Sequence, residues 1–137
     1  MSASLASRML LIPVATLLMA ASPLVDPLYM DAPEELSQKE ITAVVRKTLA
    51  MRRWNITKDH ANEIEARLDV RDHSIKVRYS ISTNHRITIK YLDSVNMDYH
   101  TDRHNNPVIH RKYAGWMQNV MSVMSRDLQL AAIQKSA

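Results

Sequence analysis

Three stretches in the middle of the chain alternate apolar and polar residues with a period of two. Ile64, Ala66, Leu68 and Val70 alternate with Glu63, Glu65, Arg67 and Asp69. Ile75, Val77, Tyr79 and Ile81 alternate with Lys76, Arg78 and Ser80, and Ile87, Ile89 and Tyr91 with Arg86, Thr88 and Lys90. Side chains on a strand point to opposite faces in turn, so this pattern predicts half-buried strands with one wet face, as in an antiparallel sheet. The links over residues 71–74 and 82–86 are short and polar, which predicts that consecutive strands are hairpin partners.

Helices are expected on either side of these strands. Ser37 followed three residues later by Glu40 is a capping box, and Leu36 with Ile41 forms a hydrophobic staple around it. Ile41, Val44, Val45, Thr48 and Leu49 then recur at helical spacing. Arg52 and Arg53 mark the expected end of this helix, and Trp54 opens a short extended piece, Trp54-Asn55-Ile56-Thr57. Residues 93–106 are polar and read as a loop. Asn106-Pro107 reads as an N-cap with proline at the first helical position. The second helix is expected from there to about Ile133, with Ile109, Tyr113, Met117, Val120, Met124 and Leu128 on one face and Trp116 at its edge. The predicted fold is α+β: a four-stranded antiparallel meander with two helices packed on one face, in the order α-β-β-β-β-α.

A chain of 137 residues has room for one such domain, assigned to residues 37–134. Residues 1–22 read as a signal peptide. One positive charge and no acid precede an apolar run over residues 9–21, and Ala20, Ala21 and Ser22 supply small residues for cleavage. That run is short of the roughly 20 residues needed to span a bilayer, so no transmembrane helix is expected after cleavage. Residues 23–36 hold Pro23, Pro27 and Pro33 and read as a linker. The absence of Cys excludes disulfides, thiolate metal sites, a Cys nucleophile and a lipid-anchor Cys. A single Gly excludes Gly-rich phosphate loops, and a net charge of +4 is well short of a dedicated nucleic-acid binder.

The segment Tyr91-x-Asp93-Ser94-x-Asn96, then Tyr99, then Ile109-His110-x-x-Tyr113-x-x-Trp116-x-x-Asn119 resembles an uncharacterised family of small secreted proteins and lipoproteins of Gram-negative bacteria. Trp54 after the first helix and the block Ala66-x-Leu68-x-x-Arg71-x-His73 extend the resemblance over residues 39–128. Two departures stand out. Many members carry a lipobox Cys that is missing here, and Ala114 takes the place of the usual Asn. The resemblance implies export to the periplasm or cell envelope. It marks Asp93, Ser94, Asn96, His110, Tyr113, Trp116 and Asn119 as motif residues of unknown role, and it implies no activity.

Three chemistries can be set against these residues. His100, His104 and His110, with Asp98 and Asp102 nearby, offer imidazole and carboxylate for Zn²⁺ or Ni²⁺, although their surroundings read as a solvated loop. Glu63, Glu65 and Asp69 sit on an alternating wet face, which argues for solvation rather than acid–base work, and Asp93 beside Ser94 and Asn96 reads as a turn network. Tyr113, Trp116 and Met117 read as core, and nine Met with no Phe suggest a core that can repack. The third chemistry is a cationic row. If Val70 pairs with Ile75 and Ile81 with Ile87, Arg67 faces Arg78 and Arg78 neighbours Lys90. Like charges across strands cost stability, so such a row could hold an anion. The expected function is a non-catalytic, exported envelope binding domain without cofactor, with an unknown envelope protein, lipid or polymer as partner and an anionic component as candidate ligand. The alternatives are a metal-binding periplasmic protein using the histidines, and a small hydrolase.

Overall fold

The computed structural model describes residues 21–137, so nearly all of the expected signal peptide lies outside the described residues. In chain order the elements are β1 (Ala21–Pro23), β2 (Leu28–Asp31), α1 (Gln38–Met51), β3 (Asn55–His60), β4 (Glu63–Val70), β5 (His73–Ile81), β6 (Arg86–Val95), β7 (His100–Thr101), β8 (Pro107–His110) and α2 (Lys112–Ser136). The class is α+β, with two helices and antiparallel sheets. The main sheet has five strands in the order β2-β6-β5-β4-β3, and a small three-stranded sheet runs β1-β8-β7.

The strands β3 to β6 follow one another as the period-two pattern predicts. Their inward residues Ile64, Ala66, Ile75, Val77, Tyr79, Ile87 and Ile89 are all buried. Helix α1 begins on the expected capping box: the Ser37 side chain accepts from the Glu40 N–H, and the Glu40 carboxylate accepts from the Ser37 N–H. Leu36 and Ile41, the staple residues, are both buried. In α2 the buried positions are Tyr113, Met117, Val120, Met124, Leu128 and Ala132. The helices run antiparallel, since Glu40 meets Lys135 at one end while Thr48 Oγ1 donates to Asp127 Oδ2 at 2.7 Å further along. Both close over one face of the main sheet in a single apolar core.

Four expectations need correction. The sheet has a fifth strand, because residues 23–36 are not a plain linker. β2 pairs with the free edge of β6, and Leu24, Ala32 and Leu36 enter the core. The prolines bracket these strands instead of interrupting a ladder: Pro23 ends edge strand β1, and Pro27 and Pro33 flank β2. Residues 93–106 are not all loop, since β6 continues to Val95 and β7 follows. Pro107 starts a strand and not a helix. Residues 107–110 are held between β1 and β7, and α2 begins at Lys112, whose N–H is capped by His110 Nδ1 at 3.1 Å. Finally, the β4–β5 register differs by two residues. Arg71 and Asp72 make a tight turn, with Arg71 at φ 57°, so Val70 pairs with His73 and not with Ile75.

Candidate functional site

A shift of two keeps every side chain on its face but changes its neighbours across the strand. Arg67 lies opposite Lys76, and Glu65 takes the place opposite Arg78; the expected pairing of Arg78 with Lys90 is present. The row of Arg67, Arg78 and Lys90 is therefore broken, and each of the three has a carboxylate. Arg67 Nε donates to Asp69 at 3.1 Å, Arg78 reaches Glu65 at 3.3 Å, and Lys90 lies 3.7 Å from Asp26. Glu65 is well covered and also lies 3.9 Å from both Lys58 and Lys76. On this face the charges answer one another, and a ligand anion would have to displace a resident carboxylate.

The motif residues converge where the β4–β5 turn, the end of β6 and the start of α2 meet. Tyr91 pairs with Val77 and Asp93 with Lys76, so Leu92 is an extra residue, a bulge that brings Ser94 opposite inward-facing Ile75. The Tyr91 hydroxyl then meets Ser94 Oγ at 2.6 Å, and the Ser94 N–H donates to Asp93 Oδ1 at 2.8 Å. The Tyr91 ring stacks on Tyr99 at 4.9 Å and stands edge-on to Tyr113 at 5.9 Å. Burial raises the pKa of both Tyr91 and Tyr113, which keeps their phenols neutral. His73 lies 5.4 Å from His110 and 6.2 Å from Trp116, ring to ring. His73 Nδ1 bonds the Asn96 carbonyl at 2.6 Å, and Asn96 Nδ2 donates to Asp72 at 2.7 Å. His110 is held below its ordinary imidazole value, first by burial and then by His73, Lys112 and Arg111. Asn119 is exposed, and Trp116, half-buried, lies beside it on a hollow shared with Arg52 and Trp54. Most of the polar motif side chains are thus spent on neighbours, in a junction that ties α2 to the sheet.

The histidines do not assemble a metal centre. His104 sits in the β7–β8 turn before Pro107, and His110 ends the extended strand that follows, with His100 exposed opposite Val108. At about 3.3 Å of rise per strand residue, β8 holds His104 and His110 apart. Among the described residues no group of three or more His, Asp or Glu is placed to hold a metal ion.

An open apolar feature lies elsewhere among the described residues, between α2 and the sheet edges. A groove of about 750 Å³ runs along α2 from Tyr113 past Met117 to Met121, walled by Leu28 and Met30 of β2 and by Val25. Its rim is polar, with Asp31 on the strand side and Gln118, Ser122 and Ser125 on the helix side. Ala114 opens it, because a small residue at that exposed position leaves the space unfilled. The volume is in the range of small-molecule sites, roughly 300–1,000 Å³, which are mostly apolar with a few polar groups at the margin. The sequence carried a trace of this site in Val25, Leu28 and Met30, apolar residues between prolines that have no reason to be there in a solvated linker.

Compared with known proteins, the chain matches no family model, no curated protein and no solved structure. No helix among the described residues is long and apolar enough to cross a membrane.

Proposed function

We propose that this protein is a non-catalytic binding domain, exported to the periplasm or cell envelope of a Gram-negative bacterium, that holds the apolar chain of an amphiphile in the groove between α2 and β2. The observation that carries this reading is the groove itself: an apolar channel with a polar rim. Met30, Met117 and Met121 line it, and the unbranched thioether side chain adapts to ligands of differing shape. Export rests on the charge, apolar run and small residues of residues 1–22, and on the resemblance to secreted proteins.

The test is displacement of a fluorescent long-chain fatty acid from the purified exported protein, repeated with Ala114→Trp. Ala114 is exposed and on the groove, so an indole there fills the channel without entering the core. Saturable binding by the parent, lost in Ala114→Trp at an unchanged thermal midpoint, is the expected result. Equal binding by the two proteins, or none by the parent, refutes the groove reading.

A further inference from the structure

The distribution of charge points to a second surface, independent of the groove. On the sheet face the cations are matched by carboxylates within 3.9 Å. Arg46 is likewise engaged, by Asp59 at 2.5 Å. At the C-terminal end of α1 the balance is different: no carboxylate oxygen lies within 4.0 Å of Lys47, Arg52 or Arg53 among the described residues. Lys47 and Arg52 line the outer furrow between α1 and α2 together with Arg126. The one acid on that furrow, Asp127, is already taken, accepting from Thr48 Oγ1 at 2.7 Å and lying 3.5 Å from Arg126.

Between these cations the furrow exposes large apolar side chains. Met51 is 71% exposed and Leu130 is 49% exposed. Outward-facing apolar side chains flanked by Lys47 and Arg52, which have no carboxylate, and by Arg126, which shares Asp127 with Thr48, suit a layer that is anionic at its surface and apolar just beneath. The cations sit at the phosphate level and the apolar tips enter the acyl boundary.

We propose that the outer face formed by α1 and α2 docks the protein on an anionic phospholipid surface, with Lys47, Arg52 and Arg126 at the headgroups and Met51 and Leu130 as shallow anchors. An acidic protein would meet the same charges but would not need the exposed apolar pair. A nucleic acid would reward charge over a longer track than these three residues supply.

The experiment is co-sedimentation of the exported protein with vesicles of phosphatidylcholine alone, and of phosphatidylcholine containing phosphatidylglycerol. A triple variant, Lys47→Gln with Arg52→Gln and Arg126→Gln, is compared with a control, Arg103→Gln with Arg111→Gln and Lys112→Gln, which lowers net charge equally. A basic residue at such a surface is worth on the order of fivefold in affinity, so the first triple should bind anionic vesicles on the order of a hundredfold more weakly and the control far less so. Met51→Ser with Leu130→Ser should weaken binding at unchanged charge, and added salt should weaken the parent. All eight substituted side chains are exposed, and the thermal midpoint checks that each variant is folded. Equal losses in the two triples, no binding by the parent, an unaffected Met51/Leu130 variant, or equal competition by polyglutamate would each overturn the proposal. Because the groove is untouched by these variants, fatty-acid displacement proceeds as before whichever way this test falls.

Discussion

Tyr79→Phe should stabilise the protein. Tyr79 lies on β5, with Ile64 and Ile89 as its partners on β4 and β6, and it is 0% exposed. Its ring stands edge-on to Trp54 at 6.2 Å, and its hydroxyl is buried with no hydrogen-bond partner among the described residues. Leaving a buried polar group unsatisfied costs roughly 1–3 kcal/mol. Phe keeps the ring and removes the orphaned group, leaving a void of one oxygen, whose penalty is on the order of a few tenths of a kcal/mol. The expected gain is about 1–2 kcal/mol, which in a domain of this size raises the thermal midpoint by roughly 3–10 °C. Urea unfolding with an unchanged slope is the assay. There is a second readout at high pH. Burial, reinforced by Tyr113, raises the Tyr79 pKa above its ordinary 10.0. An acid with a raised folded pKa contributes stability that is present below pH 10 and lost as the pH climbs past it, so Tyr79→Phe should flatten part of the alkaline limb. A destabilised Tyr79→Phe would show that the hydroxyl is satisfied after all and would refute the reasoning. The chain contains no Phe at all, so a buried ring on this strand had only Tyr or Trp to draw on.

Other changes follow from caps, turns and charges. Glu40, gripped first by Lys135 and then by Ser37, has its pKa lowered from 4.5 to about 2. Its contribution is therefore present above pH 4.5 and lost as the pH falls towards 2, and Glu40→Gln should flatten that part of an acid titration followed by circular dichroism. His110 has its pKa lowered from 6.5, so the unfolded chain binds the proton more readily, and stability should fall as the pH drops through 6.5; a thermal midpoint that is level from pH 8 to pH 5 would contradict the burial of His110 beside His73, Lys112 and Arg111. Ala61→Gly should raise stability by about 1 kcal/mol in urea melts, since Ala61 is held at φ 51° in the β3–β4 turn. Gly115→Ala should do the same by about 0.5–1 kcal/mol, because a Cβ there meets nothing within 4 Å and Ala is the better helix former.

The parts of the fold that could be read from the chain are those in which local chemistry and burial agree. The Ser37–Glu40 box needs only four residues to be itself, and the inward alternation of β4, β5 and β6 repeats often enough to override any single exception. Elements that depend on a distant partner were not legible. β1 and β2 are three and four residues long and take their structure from β8 and β6, more than fifty residues away in sequence. Asn106-Pro107 has the local chemistry of a helix start, yet the backbone there is drawn into ladders with β1 and β7, and tertiary pairing overrides the local preference. The groove was hidden for the same reason: its two walls come from the segment read as a linker and from a helix face read as core.

The sheet face shows how a small error in register changes a functional reading. Arg67, Arg78 and Lys90 do share a face, as their alternation requires, and a shift of two residues preserves that. What the shift changes is the neighbour. Glu65 comes to lie opposite Arg78, within reach of Lys58 and Lys76 as well, and so one partly covered carboxylate answers three cations that would otherwise repel one another. The positive charge that could be offered outward is thereby confined to places where no strand partner supplies an acid. The end of α1 is such a place: a helix terminus has no cross-strand neighbour, and Arg52 and Arg53 follow its last turn, where the partial negative charge of the helix favours cations without neutralising them. Basic residues on a sheet are set against whatever the opposite strand carries, whereas those past a helix end keep their charge for solvent or for a partner. That difference, more than the net charge of +4, separates the two surfaces of this protein.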